Sequence, residues 1–556
     1  MKPVMLTAAV VALLVSGCAQ VPTSGPVVEV DQAVPDTASS SFVRALARSP
    51  RPGMSQIEIV QGFLDAASGF EDGHAVAREY LTPRAGQTWD PQAGVRVYGN
   101  DTETLRSSGE DRVTVTAAQV GVVSDRSQYV PSQEQITLEE QFGLTQVGSQ
   151  WRIDDVPEGL LLSRAAVERS YREFQTYFVA KPGGILAPNP VLFARSQGDV
   201  TTDLVRALLQ GPGPWLEPAV INGFPAGTEL NTVNTVDGIV QIDLTAAVLQ
   251  ADDLARQQLS AQIVWTLRQV PGFRGVTITA DSEPVTVPGR DPIQPRNAWA
   301  DFNPDGLSAA APWYIVRSGR VLAMSAENEA LPVPGAPGSG QPPVEDPLIS
   351  LDQSVVAATD PDAQLLTAPL QTPSRWADAR TSLRSRGGSW DRTGALWLPD
   401  RDAGAQMVNV LGSQKVPIEL DQVRSVQISR DGSRALVVAG PRAAATAYLL
   451  RVDRTTGPPR LTGPRALVSG PVHAAAWASA TQVALLIKAP NQPPQVGSVD
   501  LGLFSVRLLG GPPLASTVAA APDRPLLSGT QDGQVWQFNG TTWVPLTQGR
   551  QPRYPG

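Results

Sequence analysis

Ile428-Ser429-Arg430-Asp431-Gly432-Ser433-Arg434-Ala435-Leu436-Val437 reads as the end of one strand, a tight polar turn and the start of a second strand. Asp-Gly supplies the positive φ of a tight hairpin, and the aliphatic run behind it suits a buried strand. The pattern returns at Ile349 to Ala357, Ser389 to Trp397, Trp477 to Leu485 and Ala520 to Leu527. Copies recur roughly every 40 to 50 residues, the period of a four-stranded propeller blade. Residues 311–556 are therefore expected to form an all-β propeller, with room for about five or six blades. The proline-rich stretch Leu331 to Pro347 reads as a surface excursion between strands of the first blade.

Working toward the N-terminus, the chain of 556 residues has room for about two to four domains. A segment at 289–310, rich in proline and charge around Arg290 to Asn303, reads as a linker. Before it, 170–288 alternates extended pieces with helices. A strand around Tyr177-Phe178-Val179 leads to another at Val191-Leu192-Phe193, then a helix from Thr202 to Gln210 stops at Gly211 and Pro212. A longer helix carries Leu259, Ile263, Leu267 and Val270 on one face. A first domain at 42–162 opens on the capping box Ser55-Gln56-Ile57-Glu58, ahead of Ile57, Val60 and Leu64 on one helical face. A short helix from Gly73 to Tyr80 stops before Pro83, and alternating strands follow. Both domains are α+β in class.

The extreme N-terminus decides where the protein works. Met1-Lys2, an apolar run from Val4 to Val15 and small residues before Cys18 form a secretory signal peptide over 1–17. The stretch Leu14-Val15-Ser16-Gly17-Cys18 resembles the lipobox of bacterial lipoproteins. That resemblance implies cleavage between Gly17 and Cys18, with Cys18 carrying an S-diacylglycerol and an N-palmitoyl chain. Residues 18–41 lack apolar periodicity and read as a flexible tether. No later apolar run approaches the ~20 residues of a membrane span, so the lipid is the expected anchor.

Composition closes off several chemistries. A formal charge of −9 argues against sequence-independent nucleic-acid binding, and no arginine cluster is visible. One cysteine allows no internal disulfide. The two histidines, His74 and His473, lie in different domains without a Gly-x-Ser-x-Gly elbow. Glu71, Asp72 and His74 sit in a glycine-flanked turn and read as a solvated helix start rather than an acid-base group. His473, entering a blade strand, reads as a hydrogen-bonded core or channel residue. Zinc, P-loop and calcium-loop spacings are absent, so no metal, cofactor or catalytic residue is nominated. Trp215, flanked by proline, either stacks on a sugar or plugs a domain interface.

Several segments carry resemblances. The closing strand "GSQWRIDD" and the helix-then-sheet order of the first domain resemble the nuclear-transport-factor-like superfamily. "LLQGP", "GFPAGTEL", "DGIVQIDLT" and "QIVWTLRQVPGFRGVTI" resemble the GerMN domain, and "ISRDGSRALVV" resembles TolB-like propeller repeats. Together with Cys18 to Val27 ("CAQVPTSGPV"), this order resembles the actinobacterial lipoprotein LpqB family over essentially the whole mature chain. The resemblance implies a non-enzymatic protein on the outer face of the cell membrane. It further implies partnership with the extracellular part of the sensor histidine kinase MtrB and modulation of MtrA-MtrB signalling. Alternatives are a cell-wall glycan binder and, further off, a propeller hydrolase or lyase.

Overall fold

The turn at Asp431 shows why the repeated motif folds. One carboxylate oxygen accepts the Ser433 amide at 2.7 Å and the Ser429 hydroxyl at 2.9 Å, while Arg434 donates to the other at 2.7 Å. Ser429 in turn accepts the Arg434 amide, and Gly432 takes a φ of +80°. Asp391 and Asp352 repeat the device on the amides of Thr393 and Ser354. Each hairpin thus satisfies its buried polar groups locally, which pins two strands without help from distant chain.

The computed structural model describes residues 48–556, apart from 101, 182, 196–197, 380–386, 401–403, 410–411 and 469. Cys18, Gly17, the signal peptide and the tether lie outside the described residues.

Six four-stranded antiparallel sheets make the C-terminal half. We number them as blades one to six and letter their strands a to d from centre to rim. In blade four these are Val423–Ile428, Arg434–Ala439, Thr446–Asp453 and Arg460–Ala466. Blade one is composite: Trp313–Arg317, Arg320–Met324 and Ala330–Pro332 take the chain's last strand, Arg550–Arg553, as their strand a. This closure leaves the ring without an open seam. The five motif copies are the a–b hairpins of blades two to six. Blade one has no copy because its a and b strands come from opposite ends of the domain. The stretch Leu331 to Pro347 connects blades one and two rather than strands within blade one. It includes the end of strand d, a short helix Ala336–Ser339 and the start of Glu345–Ile349.

Upstream, the capping box forms as expected on helix Gln56–Ala67, which buries Ile59, Val60, Phe63 and Leu64. Ile57, expected on that face, points outward at 38% exposure. The short helix, Ala75–Arg78, stops before Pro83 as expected, and Pro83 occupies the first turn of a further helix, Pro83–Thr88, capped by Thr82. A six-stranded sheet follows, in which the last strand Leu160–Ser163 runs parallel to Val95–Tyr98. The next unit pairs Tyr171–Ala180 with Leu186–Ala194, and joins the parallel strands Ile239–Leu244 and Gly275–Ala280 through helix Asp253–Leu267. The stretch read as a linker is folded onto this unit. Gln294–Pro295 pairs with Gly275 and Val276, and buried Trp299 accepts the Trp265 indole N–H on its carbonyl at 2.7 Å. Burial of that indole outweighs the local proline content. No helix among the described residues is long and apolar enough to cross a membrane.

Strand direction gives the propeller two unlike faces. The a–b and c–d turns form one, called the base here, and the b–c and d–a loops form the other. Arg164 donates to the Leu503 carbonyl on a c–d turn at 2.9 Å. Arg454, on another, donates to the Lys181 carbonyl at 3.3 Å. Trp215 reaches the Gly463 carbonyl on strand d of blade four, and Asp305 takes the Ala480 amide from an a–b turn. Both upstream units therefore dock on the base and outer edge of blades four and five.

Candidate functional site: the open face of the propeller

At the b–c and d–a loops a cleft of about 490 Å³ opens between blades six, one and two. Its shape follows from the closing strand. Gln551 has a φ of +53° and a register shift falls between Tyr314 and Val316, so strand a of blade one bulges as it enters the ring. Gly549 precedes it at a φ of +154°, where a Cβ would press on Ile315 at 2.7 Å. Arg317 caps the Gln548 carbonyl at 3.1 Å, and Glu345, Asp532 and Arg550 add charge of both signs to the lining.

In the central channel, Arg553 pairs with Asp346 at 2.6 Å, the two side chains being 17% and 4% exposed. Asp346 also accepts the Gly387 amide at 3.2 Å. Gln551 Oε1, Arg553 Nε and Ser425 Oγ are buried without a protein partner, so the channel wall is polar. The base end is closed by the chain's own C-terminus. The Gly556 amide donates to the Ile349 carbonyl at 3.0 Å, and Arg430 donates to Pro555 at 3.0 Å. Burial pulls the Arg430 guanidinium down to about 10, against the favourable charge of Asp305. The channel is stoppered on one side and open on the other.

His473 corrects its sequence reading. It is exposed at the start of strand a of blade five, on the rim of the open mouth rather than in a core. Its pKa is lowered, first by partial burial and then by Lys488, Arg442 and Arg424. These cations stand at the start of strand a of blade four and on the b–c loops of blades four and five. The fold thus assembles a basic rim that no contiguous segment displays, on a chain whose net charge is −9.

His74 also departs from expectation. It is 2% exposed, with its ring 4.8 Å from Phe70 and 5.8 Å from Trp89. Positive φ values at Asp72, Gly73 and His74 turn the imidazole inward, and burial lowers its pKa. The solvated-turn reading therefore fails at His74. Trp215 resolves the other way from sugar stacking: its indole N–H donates to Gly463 at 2.7 Å and Arg465 lies over its ring at 4.6 Å. It fills a domain interface.

Comparison with known proteins follows the same three-part division. Residues 49–168 match the family model for the lipoprotein LpqB N-terminal domain. Residues 175–286 match the model named for sporulation and spore germination, and 319–555 the lipoprotein LpqB β-propeller domain. Lipoprotein LpqB of Thermobifida fusca (strain YX) is 29% identical over 99% of this chain and 98% of its own. That of Streptomyces coelicolor is 27% identical over 98% and 96%. Among solved structures, TolB from Acinetobacter baumannii is 14% identical, covers 45% of this chain and 67% of its own, and has a TM-score of 0.35. The tandem GerMN domains of the sporulation protein GerM from Bacillus subtilis are 18% identical, with coverages of 28% and 59% and a TM-score of 0.20.

Proposed function

Because this chain belongs to the lipoprotein LpqB family, we propose that it is a non-enzymatic accessory protein. It is held on the outer face of the cell membrane through lipidated Cys18, binds the extracellular part of the sensor histidine kinase MtrB and modulates MtrA-MtrB signalling in cell division and envelope homeostasis. The open face of the propeller is the binding surface. One observation supports that choice above others: the upstream units and the C-terminus occupy the base, leaving the cleft and the basic rim presented outward.

The anchor confines lipoprotein and kinase to one surface, so a modest intrinsic affinity suffices. Binding one state of the sensor domain in preference to another shifts its equilibrium, by no more than the difference in affinity. The glycan-binding alternative loses its named residue, because Trp215 is covered by Arg465 and blade four.

The test is direct binding of the ectodomain, Ala19 to Gly556, to the purified extracellular domain of the kinase. Saturable binding is expected, weakened about ten-fold and made less salt-sensitive when Arg442 and Lys488 are both changed to Glu. Wild-type binding by that variant would move the surface elsewhere, and no binding by the wild type would overturn the kinase reading. Cys18→Ala should release the chain from the membrane or leave it unprocessed. Retention with intact signalling would remove the tether from the mechanism.

A further inference from the structure

Where the three units meet, a cavity of about 50 Å³ is lined by Gln128 and Tyr129 from the first, Asn189 and Trp215 from the second, and Arg434 and Arg465 from the propeller. Most of these polar groups are already committed. Asn189 accepts from Gln128 at 2.7 Å and from the Gly213 amide at 3.2 Å, and donates to Thr176 at 2.9 Å. Arg434 donates one N–H to Asp431 at 2.7 Å and keeps its buried Nε without a partner beside the cavity.

Arg465 is different. Its guanidinium carbon stands over the Trp215 ring, 4.6 Å from the centroid, and the charged neighbour it senses is another cation, Arg451. Burial and that repulsion together pull it down to about 10. Arg451 is positioned by Thr462 at 3.0 Å and by the Trp215 carbonyl at 3.1 Å, so it cannot swing away without breaking the interface. Among the described residues no carboxylate lies within ion-pair distance of Arg465. Two half-buried cations that repel one another at this junction are favoured by a counter-charge between them. A cavity of this size accommodates a few waters or one small oxyanion.

We propose that this junction is an anion site, in which Arg465, supported by Arg451 and by the face of Trp215, binds a small oxyanion of the phosphate or carboxylate class and so locks the three units together. The docked arrangement alone offers all the lining groups, so the anion stabilises it by mass action. This site lies on the base side, away from the surface assigned to the kinase, and stands or falls independently of that assignment.

The experiment is thermal unfolding of the full ectodomain in sodium phosphate, sodium acetate and sodium chloride at matched ionic strength, with calorimetric titration of inorganic phosphate alongside. A midpoint that rises with phosphate above the chloride baseline is expected, and Arg465→Gln should abolish the rise. A comparable rise in acetate would assign the site to carboxylate ends, and a rise in phosphate alone to phosphate. Either, if lost in Arg465→Gln, supports the proposal. No rise in the wild type, or an equal rise in Arg465→Gln, overturns it. Should Arg465→Gln not fold, Arg465→Lys decides: keeping the charge but losing the planar fork should weaken phosphate about ten-fold, and unchanged affinity would overturn the site.

Discussion

Among single residues, Glu173 shows how position overrides identity. It lies on strand Tyr171–Ala180 and meets Asp500 at a c–d turn of blade five, where a Cβ on Gly502 would strike its carboxyl group. Asp500 already accepts the amides of Gly502 at 3.0 Å and Leu503 at 3.1 Å, which fixes it beside Glu173. Glu173 therefore keeps the proton: burial first, then the charge of Asp500 and the hydrogen bond to it, push its pKa up to about 9. A raised folded value means the contribution to stability is complete below the unfolded pKa and is lost as pH climbs toward the folded one. Docking of the second unit on the propeller should weaken progressively from about pH 5 to pH 9. Glu173→Gln, which cannot ionise, should flatten that slope and raise the melting midpoint at pH 8. Thermal melts of both proteins across that range check it, and parallel profiles would remove Glu173 as the cause. Such a pair was illegible in the sequence because its two carboxylates are brought together only by domain docking. The same holds for His473 and its three cations, whereas Trp215 was narrowed correctly to two fates by its proline neighbours.

Elements were legible where their reasons are local. The capping box of Gln56–Ala67 and the Ser-x-Asp turns of the blades depend on residues within five positions of one another, so both could be read directly. The short helix stops before Pro83 as read, but the sequence reading lacked the next helix, which proline starts as readily as it stops another and which the Thr82 cap fixes. Ile57 shares the i, i+3, i+7 series with Val60 and Leu64, but the buried face centres on Ile59, Val60, Phe63 and Leu64, a rotation that shows only once the sheet beneath is known. The blade-four turn provides a sharp test of the local account. Arg434 and Asp431 pair at 2.7 Å with side chains 3% and 0% exposed, and Asp431→Ala would leave the guanidinium buried and unpaired. A loss of about 3–5 kcal/mol is expected in denaturant unfolding. Arg84→Ala, which breaks the pair with Asp154 from an arginine 72% exposed, should leave the denaturant midpoint nearly unchanged, because solvent screens that pair. Equal effects would mean that the turn is not the anchor of its blade.

At the scale of the molecule, ring closure is the feature that repeats alone could not disclose. Five motif copies gave an expectation of about five or six blades, and the structure has six because the remaining blade is assembled from 313–332 and the terminal strand Arg550–Arg553. That strand does three jobs at once. It pairs with Trp313–Arg317, its bulge shapes the open cleft, and the residues after it stopper the base through Gly556 and Pro555. Removing 550–556 should therefore act on the whole ring rather than on a frayed end. Without strand a, blade one exposes an unpaired inner edge to the channel, and its neighbours lose the strand they pack against. The truncated ectodomain should unfold at a distinctly lower denaturant midpoint with a broadened transition, and should become cleavable near Trp313 while the upstream units stay resistant. Limited proteolysis beside denaturant unfolding measures both. A truncation that unfolds as cooperatively as the full chain would show that the five remaining blades close by themselves. The cleft would then be an accident of the last strand rather than a consequence of how the ring is sealed.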